Sequence, residues 1–473
     1  MNMSALPSRS PASTAPQSGR GTSWLRRLRD LPDDIPVAIV GAGAMGKGLL
    51  YQCLVTPGFR CLALADLDVA KAIECAKAFD VPYRVVETPT GMRAAIDAGE
   101  LAICADGELL AGCEAADVLI ESTSAIGPAG RFGLTALNHE KHLVMMNAEA
   151  DLIFGPYLQQ QAHKQGVTYT SIDGDQHGVI KRLVDELTLW GFELVMAGNI
   201  KGYLDRYANP TSIVPEADKR NLDYRMCTAY TDGTKLGIEM ALVANALGLK
   251  TATPGMHGPR AKHVQQVHDL FDLPALRCEH GPVVDYILGA EPNGGVFAVG
   301  YCEDAYQQEM MRYYKMGDGP YYIFYRPYHL CHVEAMQSVA EAVLDGRSLL
   351  EPNAGYRSDV FAYAKQDLTA GDSLDGIGGY ACYGLIENTD TPGTPPGLPI
   401  CLAHDVTLNR DIAQDERVAW DDVDMDGSRF DVQLYRKALD AATEADVARQ
   451  TDLTGEADVA RRDDAERSQP SCT

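Results

Sequence analysis

The stretch Val37-Ala-Ile-Val40 runs into Gly41-Ala-Gly43-Ala44-Met45-Gly46, and Lys47-Gly-Leu-Leu-Tyr-Gln-Cys-Leu-Val55 follows. Four apolar residues rich in β-branched types predict a buried parallel strand. The glycine spacing G-x-G-x-x-G predicts a tight turn, and the residues after it predict a helix. In that geometry Gly41 permits the turn, Gly43 lets a pyrophosphate approach the backbone, and Gly46 lets helix and strand pack closely. The helix N-terminus offers unpaired N–H groups and the positive end of its dipole. A glycine-rich turn of another α/β fold shares this spacing, so the flanks matter. A second apolar run, Cys61-Leu-Ala-Leu-Ala65, ends in Asp66, 20 residues past Gly46. A carboxylate there can accept a hydrogen bond from a ribose 2′-hydroxyl and repels a 2′-phosphate. Dinucleotide binding is therefore expected, with NAD favoured over NADP.

The chain has 473 residues, enough for two or three domains, and a formal net charge of −25. That charge argues against nucleic acid and anionic membrane as partners. No apolar run approaches the roughly 18 residues needed to span a bilayer. The 12 cysteines form no C-x-x-C pair, which fits reduced thiols and a cytoplasmic location. Residues 1–34 and 438–473 are polar; the first stretch is expected to be disordered and the second disordered or weakly helical, without a core-forming face. The basic run Trp24-Leu-Arg-Arg-Leu-Arg29 reads as a short amphipathic turn, and Glu444–Arg449 recurs at Glu456–Arg461.

Between these tails the expected organisation is α/β. A Rossmann domain covers 35–155, an α+β catalytic domain 156–352, and a small β-rich domain 355–437. Strands at Val118–Glu121 and His142–Met146 end in Ser122-Thr123 and Asn147-Ala-Glu149. Ligands of open parallel sheets lie at strand C-termini, so Glu121, Ser122, Thr123, Asn147 and Glu149 are expected to line the cofactor crevice. Asp173-Gly-Asp175-Gln-His177 follows another strand, where it can bind a cation or cap a helix. Residues 201–235 hold six Lys/Arg against five Asp/Glu, whereas the whole chain holds 41 against 66. That local balance suggests a site for a carboxylate or phosphate. Lys201, Arg206, Asn209, Lys219, Asp223 and Arg225 are its candidates. Lys235 opens a helix with Leu236, Met240, Val243 and Leu247 at helical spacing, its head facing a cleft. His257 reads as structural, and His329 and His332 as capping and packing residues or a metal pair. Eight of the 22 tyrosines lie between Tyr301 and Tyr328, which fits a half-buried sheet or an oligomer surface better than base stacking in so acidic a chain.

Gly41–Gly46, Val118-Leu-Ile-Glu-Ser-Thr123, Lys141-His-Leu-Val-Met-Met-Asn147 and Asp232-Gly-Thr-Lys235 occur in the order of the homoserine dehydrogenase pattern. From about Pro36 to Asn388 the chain resembles a homoserine dehydrogenase-like family that includes the DXR-like reductoisomerases. Gly198–Pro210 and Asp223-Tyr-Arg-Met-Cys-Thr228 are its most specific blocks. The resemblance implies nicotinamide-dependent reduction of a small polar carbonyl compound. It implies Lys235 as proton donor to the forming alkoxide and Asp232 as its partner acid, although the family's pattern puts that Asp four residues before the Lys, at Thr231 here. It also implies a C-terminal SAF-like domain and a homo-oligomer. A reductoisomerase on 1-deoxy-D-xylulose 5-phosphate would need a divalent cation on carboxylates, with Asp173, Asp175, Asp205 and Glu216 as candidates. A nucleotide-sensing protein without turnover is the reading from outside enzymology.

Overall fold

The structure is a computed structural model that describes residues 23–446 except 221 and 392. Seven strands form a parallel sheet: β1 (Ile35–Val40), β2 (Phe59–Ala65), β3 (Tyr83–Val85), β4 (Leu101–Cys104), β5 (Val118–Glu121), β6 (His142–Met145) and β7 (Tyr169–Ser171). Their order is β3-β4-β2-β1-β5-β6-β7. The chain thus moves outward in one direction from β1, then returns and moves in the other, placing the switch point between β1 and β5. Helices α1 (Ser23–Arg29), α2 (Ala44–Val55), α3 (Val69–Ala78), α4 (Pro89–Asp97), α5 (Gly107–Ala111), α6 (Ile126–Asn138) and α7 (Ala148–Gln165) accompany this sheet. Strand residues alternate between two cores. Val37, Ile39 and Ile120 pack on one face with Leu49 and Leu50, and Ala38, Val40 and Leu119 on the other with Phe154 and Leu158.

After α8 (Gln176–Leu189) comes a four-stranded sheet of β8 (Glu193–Lys201), β9 (Val283–Leu288), β10 (Val296–Tyr301) and β11 (Tyr321–Arg326), in the order β11-β10-β8-β9. Between β8 and β9 run α9 (Val214–Arg220), α10 (Tyr224–Asp232) and α11 (Thr234–Leu247). Every residue of α11 from Thr234 to Asn245 is buried. It touches α7, α8, α10 and β9, and also β12 (Ser358–Ala364) and β14 (Cys382–Asn388) of the C-terminal part. A helix enclosed on all sides needs no amphipathic stripe, which explains its near-continuous apolar sequence. The C-terminal part adds β13 (Ser373–Asp375), β15 (His404–Leu408) and β16 (Val423–Asp424). The architecture is therefore mixed α/β: a Rossmann-type sheet, an α+β region and a small β-rich part.

Three expectations are corrected. The parallel sheet does not close at residue 155, because β7 joins it and the helix Met336–Asp345 returns to its core through Met336, Val339 and Ala340. Residues 23–29 are helical, with Leu28 buried beside Phe59 and Arg27 ion-paired to Asp345. Residues 430–446 are also helical, since Val432, Tyr435, Ala438 and Ala442 recur on one face and are buried. Residues 1–22 and the second repeat at 456–461 lie outside the described residues. The tyrosine-rich segment is only partly a sheet: Tyr322 of β11 is buried against Phe192, whereas the exposed Tyr306, Tyr313 and Tyr314 lie on and just after the helix Ala305–Tyr313. No described helix is long and apolar enough to cross a membrane.

Candidate active site

The glycine turn lies at the switch point. Gly41 has φ +99°, and a Cβ there would stand 2.7 Å from the Ser122 backbone. Only glycine fits both constraints. The Ser122 hydroxyl donates to Val40 O at 2.8 Å and to Gly41 O at 3.1 Å, tying the two strand ends together. A Cβ on Gly46 would run into Gly41 O. Gly43 is different, because a Cβ there meets nothing within 4 Å. It is the extended N-cap of α2 and supplies no side-chain cap, so the first turn of α2 stays open to an anion. Asp66 accepts from Ala42 N at 2.8 Å with one oxygen and from Asp68 N at 2.9 Å with the other. Each oxygen keeps a lone pair for a ribose hydroxyl. These features fit a dinucleotide, with Ala44 and Met45 in the first turn beneath its phosphates.

A second group gathers at the C-terminal ends of β6 and β7. Lys235, 6% exposed, points its ammonium at Glu149, donating to both carboxylate oxygens at 3.0 and 3.1 Å. Burial alone would depress its pKa. Glu149, Tyr230, Asp175 and Glu239 outweigh that and raise it well above an ordinary lysine's. The ammonium is therefore charged at neutral pH. Glu239 lies one turn along the same face of α11. Burial and Asp175 push its carboxyl up to about 8, against Lys235 and Lys201. Asp175 caps α8 through Gln176 N at 2.8 Å. Burial opposes its charge, but His177, Lys235 and His329 hold it below the usual carboxylate range.

Buried polar atoms without partners concentrate here: Glu121 Oε2, Asn147 Nδ2, Gln176 Oε1, Glu239 Oε2 and both ring nitrogens of His177. Each such atom costs about 1–3 kcal/mol unless something binds it. His177 is 1% exposed, and burial lowers its pKa against the opposing pull of Asp175 and Glu149. Glu121 is completely buried, and burial raises its carboxyl to about 8 although Thr123 donates to it twice. A crevice lined with unused donors and acceptors suits a polar ligand.

Several expected site residues lie elsewhere. Asp232 accepts from Thr234 N at 2.9 Å and from Lys365 Nζ at 2.9 Å, so Lys365 rather than Lys235 is its partner. Glu149, expected at the cofactor, is instead the counter-ion of Lys235. Asp223 caps α10 through Met226 N, and Arg225 donates to the carbonyls of Asp375 and Ile377. Both hold loops rather than a ligand. Asn209 accepts from Thr211 N and Ser212 N, and Lys219 extends into solvent beside Glu216. Asp173 is bound by Arg182 and Asp205 caps Tyr207 N, which leaves Asp175 alone of the expected metal acids beside Lys235. Arg206 lines a separate cavity of about 290 Å³ with Leu236, Gly237, Tyr286 and Ile386, on a different face of α11 from Lys235. His257 is structural, its ring bonded to Asp285 at 2.9 Å. The sequence reading missed Tyr230, Glu239 and Cys331. Glu239 carried one signal, an acid at i+4 from Lys235 in an otherwise apolar helix.

Residues 174–335 match the family described as oxidoreductase DRL, catalytic domain. The segment begins beside Asp173, whose N–H donates to Ser338 Oγ at 3.0 Å, so it leaves and rejoins the parallel-sheet part at one point. No curated protein matches the chain. Among solved structures, a 1-deoxy-D-xylulose 5-phosphate reductoisomerase from Zymomonas mobilis in complex with NADPH is 16% identical, with a TM-score of 0.31 over 44% of this chain and 57% of that one. A dipicolinate-bound dihydrodipicolinate reductase from Paenisporosarcina sp. TG-14 is 12% identical, with a TM-score of 0.33 over 65% of this chain and 93% of that one. The chain thus spans little more than half the length of the reductoisomerase. The middle of the chain is thus similar to an oxidoreductase catalytic domain and lies beside a Rossmann-type sheet.

Proposed function

We propose that this chain is an NAD(P)-dependent oxidoreductase that reduces or oxidises a small carboxylated or phosphorylated hydroxy-carbonyl compound. The observation that carries the reading is the buried Lys235 at the C-terminal edge of the same sheet that presents the open Gly43 turn. A bound nicotinamide supplies or takes the hydride. The chain does the rest. Gly43 and the first turn of α2 hold the phosphates, and Asp66 takes the ribose hydroxyls. Asn147, Ser122 and Thr123 border the crevice into which the nicotinamide would extend. Reduction builds negative charge on the carbonyl oxygen. The Lys235 ammonium, charged and shielded from water, stabilises that charge and donates a proton to the oxygen. Glu149 keeps the ammonium charged and aimed. Lys201, which acts electrostatically on Glu239, is a second cation for the substrate's anionic group.

The match to the DRL catalytic domain favours a second reading, a reductoisomerase acting on 1-deoxy-D-xylulose 5-phosphate. Its rearrangement would call for a divalent cation, and Asp175 with Glu239 supplies carboxylates suited to one. A homo-oligomer remains part of the proposal for either activity, as does a cytoplasmic setting.

The test is calorimetric binding of NAD, NADH, NADP and NADPH to wild type and to Asp66→Ala. NADH is expected to bind at least tenfold more tightly than NADPH, with the gap narrowed in the variant. A turnover screen over phosphorylated ketoses and semialdehydes follows, with Lys235→Ala as the blank. Tight NADPH binding indifferent to Asp66 overturns the cofactor preference. Binding without turnover of any substrate moves the assignment to a nucleotide sensor.

A further inference from the structure

We propose that Asp175, His329 and Cys331 form a binding site for a divalent transition-metal cation of the zinc class. The proposal stands on geometry and does not depend on which hydride-transfer reaction the chain performs. Cys331 Sγ lies 3.9 Å from Asp175 Oδ1 and 3.9 Å from His329 Nδ1. Ligand atoms from all three residues fall within 4.8 Å of one another. A tetrahedral zinc with bonds of about 2.0–2.3 Å holds its ligand atoms roughly 3.3–3.8 Å apart. A small inward movement therefore closes the site.

Asp175 is fixed at the N-terminus of α8. The other two ligands come from the segment just before and within the helical turn Cys331–Glu334. That segment is anchored independently of any cation. Leu330 N donates to Glu334 at 2.9 Å, Arg326 pairs with Glu334 at 2.7 Å, and the His332 ring packs over Gly48 of α2.

A second observation points the same way. Gln176 Oε1 is buried without a partner, while Gln176 Nε2 stands 3.4 Å from His329 Nε2. Turning the amide over places Oε1 opposite His329 Nε2, where it accepts from that nitrogen, and moves Nε2 to the unpartnered position. His329 then donates from Nε2, and its Nδ1 lone pair faces Cys331. This is the outer-shell hydrogen bond that metal-bound histidines ordinarily make. A thiolate, an imidazole and one carboxylate suit zinc or cobalt rather than magnesium, and three protein ligands leave a position open for substrate or water. Binding replaces the Cys331 S–H proton, which passes to solvent, with a sulfur–metal bond.

The test uses the full chain, stripped with chelator and titrated with Zn²⁺ and Co²⁺. One equivalent is expected to bind, and Co²⁺ is expected to give tetrahedral d–d bands with thiolate-to-cobalt charge transfer. Cys331→Ser abolishes the charge-transfer band, Gln176→Ala weakens binding about tenfold, and Cys278→Ser changes neither. Should Cys331→Ser fail to fold, Zn²⁺ protection of Cys331 from alkylation in the wild type, read by mass spectrometry, replaces it. An octahedral cobalt spectrum without a thiolate band, or Cys331 alkylated equally with and without Zn²⁺, overturns the proposal.

Discussion

Two buried lysines flank the same helix start and have opposite surroundings. Lys365 is 5% exposed and its ammonium donates to Asp232 at 2.9 Å, Ala208 O at 2.7 Å and Gly379 O at 2.8 Å. Three donors meet three acceptors, and nothing is left for a ligand. Lys235 is equally buried but meets one partner, the two oxygens of Glu149, and its neighbours Glu239 and His177 carry orphaned atoms. A closed ion pair fastens the C-terminal β-rich part to the α10–α11 junction. The open one marks the proposed site. Burial and charge alone do not separate the two; the count of satisfied hydrogen bonds does.

The sharpest way to break this contrast is to replace each lysine by methionine. Lys235→Met should lose roughly 10²–10⁴-fold in turnover, and because it leaves Glu149 unpaired in the interior its melting temperature should fall as well. Lys365→Met strands Asp232 in the interior and should cost about 3–5 kcal/mol of stability, read by denaturant unfolding. Turnover that survives Lys235→Met would make both pairs structural.

A milder change probes what Glu149 does. Glu149→Gln removes the carboxylate that holds the Lys235 proton, so the ammonium pKa falls. The alkaline limb of the pH–rate profile should move to lower pH. An unmoved limb would mean that Lys235 is not the group being titrated.

A third test concerns Glu239. Its folded-state carboxyl titrates near 8, against an ordinary value of 4.5. The folded state therefore holds the proton more tightly, and this group's contribution to stability falls as pH rises from about 4.5 to 8. Glu239→Gln should flatten that part of the stability–pH curve. The measurement is thermal melting across the range, and an unchanged slope would place the loss at another carboxyl such as Glu121.

What could be read in the chain was whatever a short stretch decides by itself. The strand, turn and helix around Gly41–Gly46 specify their own geometry, and Asp66 follows by spacing along one βαβ unit. The helical register of Lys235 was equally plain. Its partner was not, because Glu149 lies 86 residues earlier and meets it only when α7 and α11 pack. Asp232 looked like the partner by proximity, yet Lys365 is 133 residues away and reaches it through the C-terminal strands. Arg225 and Asp223 misled for a related reason. Cationic and acidic residues in a loop-rich stretch are as readily consumed by carbonyls and helix caps as by a substrate.

The hydrogen bond from Asp173 N to Ser338 Oγ joins the two ends of the segment 174–335. Topologically the segment is an insert plugged into a parallel-sheet frame, with entrance and exit side by side. Exchange of such a cassette would leave the strand order of the frame intact, since β7 and the helix Met336–Asp345 lie on the frame's side of the junction. Portability has one limit: β12 and β14 wrap α11 from outside the segment. A graft that carried residues 174–335 without those strands would expose the face of α11 that they cover.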